Sequence, residues 1–394
     1  MDPAYAESMT RQLLPVDASA SAMLAALETA LDGSGPAVLP MQHGSSAAPA
    51  VVDDRVALVI ETSGSTGVPK RVALTADALL ASAAGSAMAL GGPEAHRRSS
   101  QWILALPTHY IAGVNVLLRS IVAGTRPIEA PAGSFDARAF CGLVERLDAD
   151  AGFAALVPAQ LRLLVDAAET STSVRDALAG LAGLLVGGQA TPAPLLERSA
   201  ALGIRVVRSY GSSETSGGCL YDGVPFPGVE PRLADGELLL AGPVLAEGYL
   251  GEPDRTATAF PDDGGRRWYR TGDTAEFVDG VVRVTGRADN VIISGGVNIS
   301  LDRVQAVVRS VPGLAEAVVV AVAEERFGQA SVIVTDAATP ADHLADDALL
   351  QAARDTVAEA LGRPARPARL VRLAELPLLA SGKPDLVALR SRLG

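Results

Sequence analysis

The alternation of short apolar runs with amphipathic segments constrains the fold of this chain more than any other feature of its sequence. Strand-like runs bounded by glycine, proline or serine cover 55–60, 71–75, 101–107, 151–158, 182–188 and 204–212, and helical spacing covers 18–35, 76–90 and 112–124. Strands that alternate with helices are typical of parallel βαβ units. We therefore predict an α/β fold, with a large N-terminal domain of βαβ-type sheets and helices over residues 1–287.

Four loops rich in glycine, serine and threonine follow the predicted strands. They cover residues 62–67, 187–191, 209–217 and 271–273. Parallel sheets bind their ligands at the carboxyl ends of the strands. The four loops therefore predict one shared site.

The first of these loops, "ETSGSTGVPK", carries an excess of hydrogen-bond donors. Glycine frees backbone N–H groups, the hydroxyls belong to Thr62, Ser63, Ser65 and Thr66, and Lys70 adds an ammonium group. Such a loop suits a polyphosphate. It is not a Walker P-loop, because Lys70 follows proline and leads into the strand "RVALT". A solvated turn without a ligand is the alternative for this segment taken alone.

The last third of the chain has a different pattern. "AEFVDGVVRVTGR" (275–287) predicts a hairpin around Asp279 and Gly280. A helix is predicted from Leu301, capped by Ser300, and another over 347–361, among further strands. We predict a domain boundary near Arg287–Asp289, and a small α+β domain over 288–394.

Composition excludes several classes of protein. The net charge of -12 disfavours non-specific nucleic-acid binding. Two cysteines, Cys141 and Cys219, cannot form a disulfide scaffold. The N-terminus does not have the pattern of a signal peptide, and no apolar run reaches the length of a membrane span. We expect a cytoplasmic enzyme without membrane insertion. The oligomeric state is open, and a homodimer is one alternative.

Five motifs in order give a more specific indication. The opening loop is followed by "SYGSSET", "YRTGD", "GRADNVIISGGVNIS" and "ASGKPD". This set resembles the adenylate-forming superfamily, which includes acyl-CoA synthetases, peptide-synthetase adenylation domains and luciferases. The resemblance covers about residues 56–385. It implies that ATP activates an acid as acyl-AMP, with Mg²⁺, and that coenzyme A is the acceptor.

The resemblance implies a nucleotide site drawn from several motifs. Glu214 and Thr66 would hold Mg²⁺, in keeping with the preference of that ion for oxygen ligands. Asp273 would accept hydrogen bonds from the ribose, and Arg287 would approach the nucleotide. The remaining ATP- and AMP-binding positions are Thr62, Ser63, Gly64, Ser65, Thr66, Gly67, Lys70, Gly188, Gln189, Ala190, Ser209, Tyr210, Gly211, Ser212 and Ser213.

The C-terminal motifs imply the catalytic lysine and the route of the thiol. Lys383 would neutralise charge that develops on the α-phosphate during adenylation, and with Glu214 it completes the predicted catalytic pair. Asp289 matches the hinge about which the small domain swivels. Gly295 and Gly296 resemble the segment that lines the coenzyme A channel, where the absence of side chains lets a ligand lie against the backbone.

The acyl-binding segments resemble the o-succinylbenzoate–CoA ligases of the short actinobacterial type, which act in menaquinone biosynthesis. The predicted acyl pocket contains His109, Tyr110, Gly187, Thr215, Gly217 and Gly218. Histidine stands one place earlier than the superfamily pattern has it, and Tyr110 takes the usual position. Gly217 and Gly218 would clear space for an aromatic ring. The second carboxylate of the acid needs a donor or a cation, and the candidates are Ser213, Thr215, Arg119 and Arg205.

Three alternatives stay open at this point. The same chemistry could act on another aryl or medium-chain acid with coenzyme A. A stand-alone adenylation domain would instead load a carrier protein. A non-catalytic binding homologue is disfavoured by the presence of Lys383, Glu214 and Asp273.

Overall fold

The computed structural model describes residues 10–41, 49–62, 70–91, 99–131, 133–294, 296–324, 328–336, 346–378 and 384–393. The chain divides into two units. The first contains Met1–Thr191, Leu195–Arg232 and Leu239–Thr271, and the second contains Pro192–Pro194, Leu233–Leu238 and Gly272–Gly394.

One sheet of the first unit has six strands. They are β1 (Thr10–Asp17), β2 (Ala37–Met41), β3 (Val51–Asp53), β4 (Val56–Thr62), β5 (Lys70–Thr75) and β15 (Gly248–Tyr249), with α1 (Ala20–Leu31) and α2 (Ala76–Gly91) between strands. The order is β15–β5–β4–β2–β1–β3. Strand β4 is parallel to β2 but antiparallel to β5, so the two strands that border the opening loop form a hairpin.

The other large sheet has seven strands and contains the predicted βαβ units. Its strands are β6 (Ser100–Leu104), β7 (Ile128–Glu129), β8 (Ala151–Leu156), β9 (Gly183–Gly187), β10 (Val206–Ser212), β11 (Gly217–Tyr221) and β12 (Val224–Pro225). The order is β12–β11–β10–β9–β8–β6–β7. Strands β6, β8, β9 and β10 are parallel, so their carboxyl ends lie at one edge. The α/β class predicted from the sequence is confirmed.

Helices cover the seven-stranded sheet because its strands are apolar. The helices between its strands are α3 (Ile111–Ala123), α4 (Ala137–Val144), α5 (Pro158–Thr170), α6 (Thr172–Ala179) and α7 (Ala193–Ala201). Ile103, Leu156 and Leu184 are buried in one apolar cluster with residues of α4, α5 and α6. Strand β8 ends before Pro158, which begins α5 as its first helical residue, a position that proline favours.

Shorter elements that belong to both units follow along the chain. They are β13 (Glu230–Ala234), β14 (Glu237–Ala241), α8 (Pro253–Ala259), β16 (Asp262–Asp263), β17 (Arg266–Arg267), β18 (Tyr269–Val278) and β19 (Val281–Arg287). Strands β18 and β19 form the predicted hairpin, and its turn residues Asp279 and Gly280 have φ of 51° and 79°. Positive φ at both positions is what a two-residue hairpin turn requires.

The second unit is a small sheet with helices. Its strands β20 (Val291–Ser294), β21 (Val297–Ser300), β22 (Val318–Glu324), β23 (Gly328–Asp336) and β24 (Arg369–Leu373) accompany α9 (Leu301–Val308), α10 (Asp346–Leu361) and α11 (Leu386–Leu393). Ser300 caps α9 as predicted, because its hydroxyl accepts from the N–H of Arg303. The predicted helix over 347–361 corresponds to α10.

The longest segment of the second unit, Gly272–Gly394, includes most of the β18–β19 hairpin. The end of that hairpin packs on α9, where the Asp302 carboxylate accepts from the backbone N–H of Arg287. The division into functional domains, and the swivel about Asp289, stay predictions.

A search of the described helices found none long and apolar enough to cross a membrane.

Both cysteines are free thiols buried in the first unit. Burial raises the pKa of the Cys141 thiol, and it raises that of Cys219 to about 12. The thiolate is the reactive form. We therefore expect neither thiol of the native protein to react rapidly with a disulfide reagent at about pH 8, and both to react after denaturation. One rapidly titrating thiol in the native protein would contradict this expectation.

Candidate active site

The ends of the predicted phosphate loop are joined by strand pairing. Thr62 and Lys70 are register partners at the open end of the β4–β5 hairpin. The loop positions Ser63, Gly64, Ser65, Thr66 and Gly67 lie outside the described residues. The prediction that Lys70 leads into a strand is confirmed, since β5 begins at this residue.

A buried carboxylate lies beside Lys70. Glu214 is 5% exposed, and its Oε1 lies 3.7 Å from the Lys70 Nζ atom. The hydroxyl of Tyr249 donates to the same oxygen over 2.9 Å. A buried carboxylate is costly without such partners. The structure thus brings together two predicted residues, Lys70 and Glu214, with a tyrosine that the sequence analysis missed.

Tyr249 keeps its proton in this environment. Burial, followed by the nearby charge of Glu214, raises the pKa of the Tyr249 phenol well above its ordinary value. The hydroxyl is therefore a donor to Glu214 throughout the neutral range. No sequence signal singles out Tyr249, because the contact joins residues 35 positions apart.

The turn that carries Glu214 is held in a strained conformation. Residues Ser213–Thr215 form a 3₁₀ turn, after which Ser216 has a φ of 53°. The carbonyl of Ser216 accepts from Ser82 Oγ over 3.1 Å and from Asn115 Nδ2 over 2.9 Å. Left-handed backbone at a residue other than glycine persists where its surroundings over-determine it. Ser82 and Asn115 are thus supports of the site that sequence analysis did not identify.

The two predicted nucleotide loops are neighbours. Strands β9 and β10 are parallel, and Ser209 is the register partner of Gly187. A Cβ atom at Gly187 would lie 2.8 Å from the carbonyl oxygen of Ser209, so this close approach requires glycine. The remaining positions of the two loops follow along the chain: Gly188, Gln189 and Ala190 after β9, Tyr210, Gly211 and Ser212 at the end of β10, and Ser213 directly after it.

His109 and Tyr110 lie at the start of α3 with their ring centroids 4.2 Å apart. Both side chains are half-buried. Burial lowers the pKa of the His109 imidazole and raises that of the Tyr110 phenol, so both rings favour their neutral forms. Their contribution to an acyl pocket stays a prediction.

Gly217 and Gly218 face polar side chains at close range. A Cβ atom would lie 2.0 Å from Asn115 Nδ2 at Gly217 and 2.1 Å from Ser209 Oγ at Gly218. The space that a side chain would take is thus filled by Asn115 and Ser209. These two residues are therefore further candidates for lining the acyl pocket.

We expect Gly217→Ala to destabilise the protein by about 3 kcal/mol, because a positive φ and an overlap with Asn115 add together. Gly251→Ala is the matched control, since Gly251 also has a positive φ, of 77°, but no atom within 4 Å of its would-be Cβ. That control should lose only about 1 to 2 kcal/mol. Urea unfolding of the two variants measures the difference, and equal losses would contradict the overlap.

The four candidates for the second carboxylate differ in position. Arg205 is exposed and donates to the Ala182 carbonyl beside the start of β10, at the end of the strand remote from Glu214. Ser213 and Thr215 are buried in the Glu214 turn, where the Thr215 hydroxyl donates to the Gly217 carbonyl. Arg119, on α3, is 9% exposed.

Arg119 is a buried cation without a carboxylate partner in the part of the chain that the structure describes. Its Nη2 donates to the Tyr221 hydroxyl over 3.1 Å, and its guanidinium lies 4.8 Å from the Trp102 ring centroid. Its Nε is buried and has no hydrogen-bond partner there. Tyr221 in turn lies 3.3 Å from the would-be Cβ of Gly218. An unpaired buried charge is costly, so this arginine is suited to binding an anion.

Three predicted residues of the second unit form one ion-pair cluster. The Nη1 of Arg287 lies 3.0 Å from Asp273 Oδ1, and its Nε lies 3.2 Å from Asp289 Oδ1. Burial alone would lower the pKa of Arg287, but the hydrogen bonds and charges of the two aspartates outweigh it and raise the pKa. The structure thus brings Asp273, Arg287 and Asp289 together, while their roles toward a nucleotide stay predictions.

Of the predicted channel and lysine positions in the second unit, the structure describes Gly296. Gly296, at the turn of the β20–β21 hairpin, has a φ of 81° and no atom within 4 Å of a would-be Cβ. Gly295 and Lys383 lie outside the described residues. Leu378 and Pro384 form an antiparallel bridge on either side of the segment that contains Lys383.

The described residues offer few side chains that could bind a metal ion. Over the described ranges, no group of three or more histidine, cysteine or acidic residues could hold a metal ion. The Glu214 carboxylate beside Lys70 fits Mg²⁺, which is held in nucleotide enzymes by one or two carboxylates and the substrate phosphates.

Comparison with known proteins identifies the class. The profile of the AMP-binding enzyme family matches residues 7–250, and that of the AMP-binding enzyme C-terminal domain matches residues 303–383. The chain therefore belongs to the AMP-binding enzyme family. The resemblance drawn from the five sequence motifs is confirmed.

Two individual proteins show how similar this chain is to named members of the family. A protein of Mycobacterium tuberculosis (strain ATCC 25618 / H37Rv) named probable 2-succinylbenzoate–CoA ligase is 39% identical, over 96% of this chain and 97% of its own. The 2-succinylbenzoate–CoA ligase of Escherichia coli (strain K12) is 32% identical, over 70% of this chain and 57% of its own.

Solved structures share the fold. Wild-type E. coli MenE with a bound m phenylether-linked analogue of OSB-AMS superposes with a TM-score of 0.70 at 25% identity, over 98% of this chain and 89% of its own. ATP-bound MatB from Rhodopseudomonas palustris gives a TM-score of 0.72 at 23% identity, over 97% and 79% of the two chains.

Proposed function

We propose that this protein is an AMP-forming ligase that joins o-succinylbenzoate to coenzyme A in menaquinone biosynthesis. The observation that carries the choice of acid is the buried Arg119, which donates to Tyr221, a neighbour of Gly218. A diacid that is activated at one carboxylate must bury or solvate the other, and Arg119 supplies a cation for it. Two relatives named as ligases of this acid support the assignment.

The reaction has two steps. An oxygen of the acid's carboxylate attacks the α-phosphorus of ATP, so that the acyl-AMP bond forms and pyrophosphate leaves. The sulfur of coenzyme A then attacks the acyl carbon, so that the thioester forms, AMP leaves and the thiol proton is released. Free energy from cleavage of ATP thereby drives formation of the thioester.

The described residues divide these tasks among them. Lys70 would hold phosphate oxygens, and Glu214, 3.7 Å from it, would hold Mg²⁺, which when bound would offset charge on the phosphates. Asp273 would accept hydrogen bonds from the ribose of the nucleotide, and Arg287 would approach the nucleotide. Arg119 would orient the acid so that its other carboxylate faces the α-phosphorus, with His109 and Tyr110 at the pocket wall.

Lys383 and the swivel of the second unit complete the proposal. Lys383 would neutralise charge on the α-phosphate and the attacking carboxylate during the first step. A rotation about Asp289 would then bring the segment of Gly295 and Gly296 to the acyl-adenylate to guide the thiol. Both roles are supported by the resemblance of their motifs and by the family to which the chain belongs.

The substrates of this proposal are small molecules, and cytoplasm is the compartment that supplies ATP and coenzyme A together. The two free cysteines are compatible with a reducing compartment. A homodimer is an open alternative that sedimentation analysis would decide.

An acid panel tests the proposed function. The panel contains o-succinylbenzoate, benzoate, a cinnamate and octanoate, each with ATP, Mg²⁺ and coenzyme A, and it measures pyrophosphate release and the mass of the thioester. We expect both products with o-succinylbenzoate. Thioester with another acid would discard the choice of acid, pyrophosphate without thioester would indicate a carrier-protein acceptor, and neither product with any acid would favour a non-catalytic homologue.

A further inference from the structure

Tyr249 makes the shortest contact to the Glu214 carboxylate among the described residues. Its hydroxyl donates to Oε1 over 2.9 Å, whereas Lys70 Nζ lies 3.7 Å from the same oxygen. The first distance is a hydrogen bond, and the second is an ion pair outside hydrogen-bond range. We propose that Tyr249 is a positioning residue that orients Glu214 toward the metal of a metal–nucleotide complex.

The two oxygens of the carboxylate have different surroundings. Both Tyr249 and Lys70 contact Oε1, and over the described part of the chain no side chain donates to Oε2. A hydrogen bond from a phenol fixes the rotation of the carboxylate about its last torsion. It thereby directs Oε2 away from Tyr249 and leaves that oxygen free for a hard cation.

Tyr249 is itself fixed from several sides. Its strand β15 pairs with β5, where Tyr249 is the register partner of Val72, and its N–H donates to the Thr256 hydroxyl over 2.9 Å. Its ring contacts two cations, with Lys70 Nζ at 5.3 Å and the Arg255 guanidinium at 5.2 Å from the centroid. These contacts hold the ring, so the hydroxyl arrives at Glu214 already oriented.

Binding of a nucleotide makes this contact more important. Phosphate oxygens would compete with Glu214 for Lys70, because both are anionic and Lys70 is one ammonium group. Once Lys70 turns to the phosphates, Tyr249 is the remaining donor to Oε1 among the residues that the structure describes. The orientation of Glu214 in the loaded site would therefore depend on the Tyr249 hydroxyl.

Tyr249→Phe tests this inference, since it keeps the ring and both cation contacts and removes only the hydroxyl. The inference rests on one part of the proposed function, the binding of a metal–nucleotide complex. The binding mixture therefore contains neither the acid nor coenzyme A. Mn²⁺ binding is followed by electron paramagnetic resonance in the presence of saturating α,β-methylene-ATP. Affinity for the nucleotide without metal is measured in parallel by calorimetry.

We expect Tyr249→Phe to weaken Mn²⁺ binding about tenfold, as for the loss of a hydrogen bond to a charged group. Nucleotide binding without metal should change less than about twofold. Unchanged Mn²⁺ affinity would overturn the inference, and so would an equal loss of metal-free nucleotide binding, because that would indicate general damage to the pocket.

Two comparisons separate positioning from structural support. Tyr221→Phe also removes a buried phenol hydroxyl, which contacts Ser86 and Arg119 rather than Glu214, and it should leave Mn²⁺ affinity unchanged. In a Glu214→Gln background, adding Tyr249→Phe should cost no further Mn²⁺ affinity. A full tenfold loss in that background would overturn the inference.

Thr256→Val is the second route should Tyr249→Phe fail to fold. It removes the acceptor of the Tyr249 N–H and should weaken Mn²⁺ binding about threefold, and no change would overturn the inference. The result is distinguishable from failure of the proposed function. If the wild-type protein binds no metal nucleotide, the proposed function fails, whereas normal wild-type binding with an unaffected Tyr249→Phe variant refutes this inference alone.

Discussion

Arg119→Met is expected to lower kcat/KM for o-succinylbenzoate about 100-fold and to leave kcat/KM for benzoate within about threefold. The substitution removes the cation that we assign to the second carboxylate, and benzoate has no such group. Methionine fills a similar apolar volume beside Trp102, so we expect little loss of stability when this uncompensated buried charge is replaced. Steady-state kinetics with both acids measures the ratio.

Arg205→Met is the matched control. Arg205 is exposed, and its contact is a backbone carbonyl at the other end of β10 from the Glu214 turn. Neither acid should respond to this change. If Arg119→Met slowed both acids equally, Arg119 would support the pocket rather than read the second carboxylate.

Lys383→Ala is expected to slow acyl-adenylate formation by at least about 100-fold, by analogy with removal of one donor that stabilises a developing oxyanion. Conversion of a pre-made acyl-adenylate and coenzyme A to the thioester should continue at close to the wild-type rate. Pyrophosphate release measures the first step, and single-turnover formation of the thioester measures the second.

Arg390→Ala provides the control, because Arg390 is an exposed basic residue of α11 in the same C-terminal region. It should leave both steps within about twofold of wild type. An equal loss in both steps for Lys383→Ala would contradict the assigned role. The comparison is sharp because only two of the 33 basic residues are lysines, Lys70 and Lys383, and so no neighbouring lysine can replace either one.

Features that depend on neighbouring residues could be predicted from the sequence. The Asp279–Gly280 turn, the Ser300 cap of α9 and the extent of α10 follow from backbone preferences and hydrogen bonds within a few positions. Thr75, directly before α2, likewise accepts from the N–H of Ala78 through its hydroxyl. The βαβ pattern likewise depends on apolar runs that can be read directly.

Features that depend on distant residues could not be predicted. Three hydrogen bonds of the site join residues that are far apart in the chain. They link Tyr249 to Glu214, Asn115 to Ser216, and Arg119 to Tyr221. Each forms only because separate strands and helices come together in the fold. Strand β1 was missed for a related reason, since most of its residues are exposed and give no alternating apolar signal. Its place depends on pairing with β2 and β3.

At the glycines of the predicted acyl pocket, the sequence does not show which groups occupy the space left by the missing side chains. The pair at 217–218 predicts empty space when read alone. In the structure that space is taken by the amide of Asn115 and the hydroxyl of Ser209. The glycines therefore allow polar groups from α3 and β10 to approach the turn, and the shape of the pocket depends on those groups.

The pairing of Thr62 with Lys70 also means that the entropy of closing the segment between them is lost during folding rather than during binding. A free segment must bring its ends together before it can surround a ligand, and that closure opposes binding. Here the ladder between β4 and β5 joins the ends as the hairpin folds, so the closure is complete before any nucleotide arrives. Lengthening the segment between these partners should therefore affect the stability of the hairpin, and doubling its length should cost only about 0.6 kcal/mol. We expect affinity for the nucleotide to depend instead on the donors that the sequence of this segment supplies.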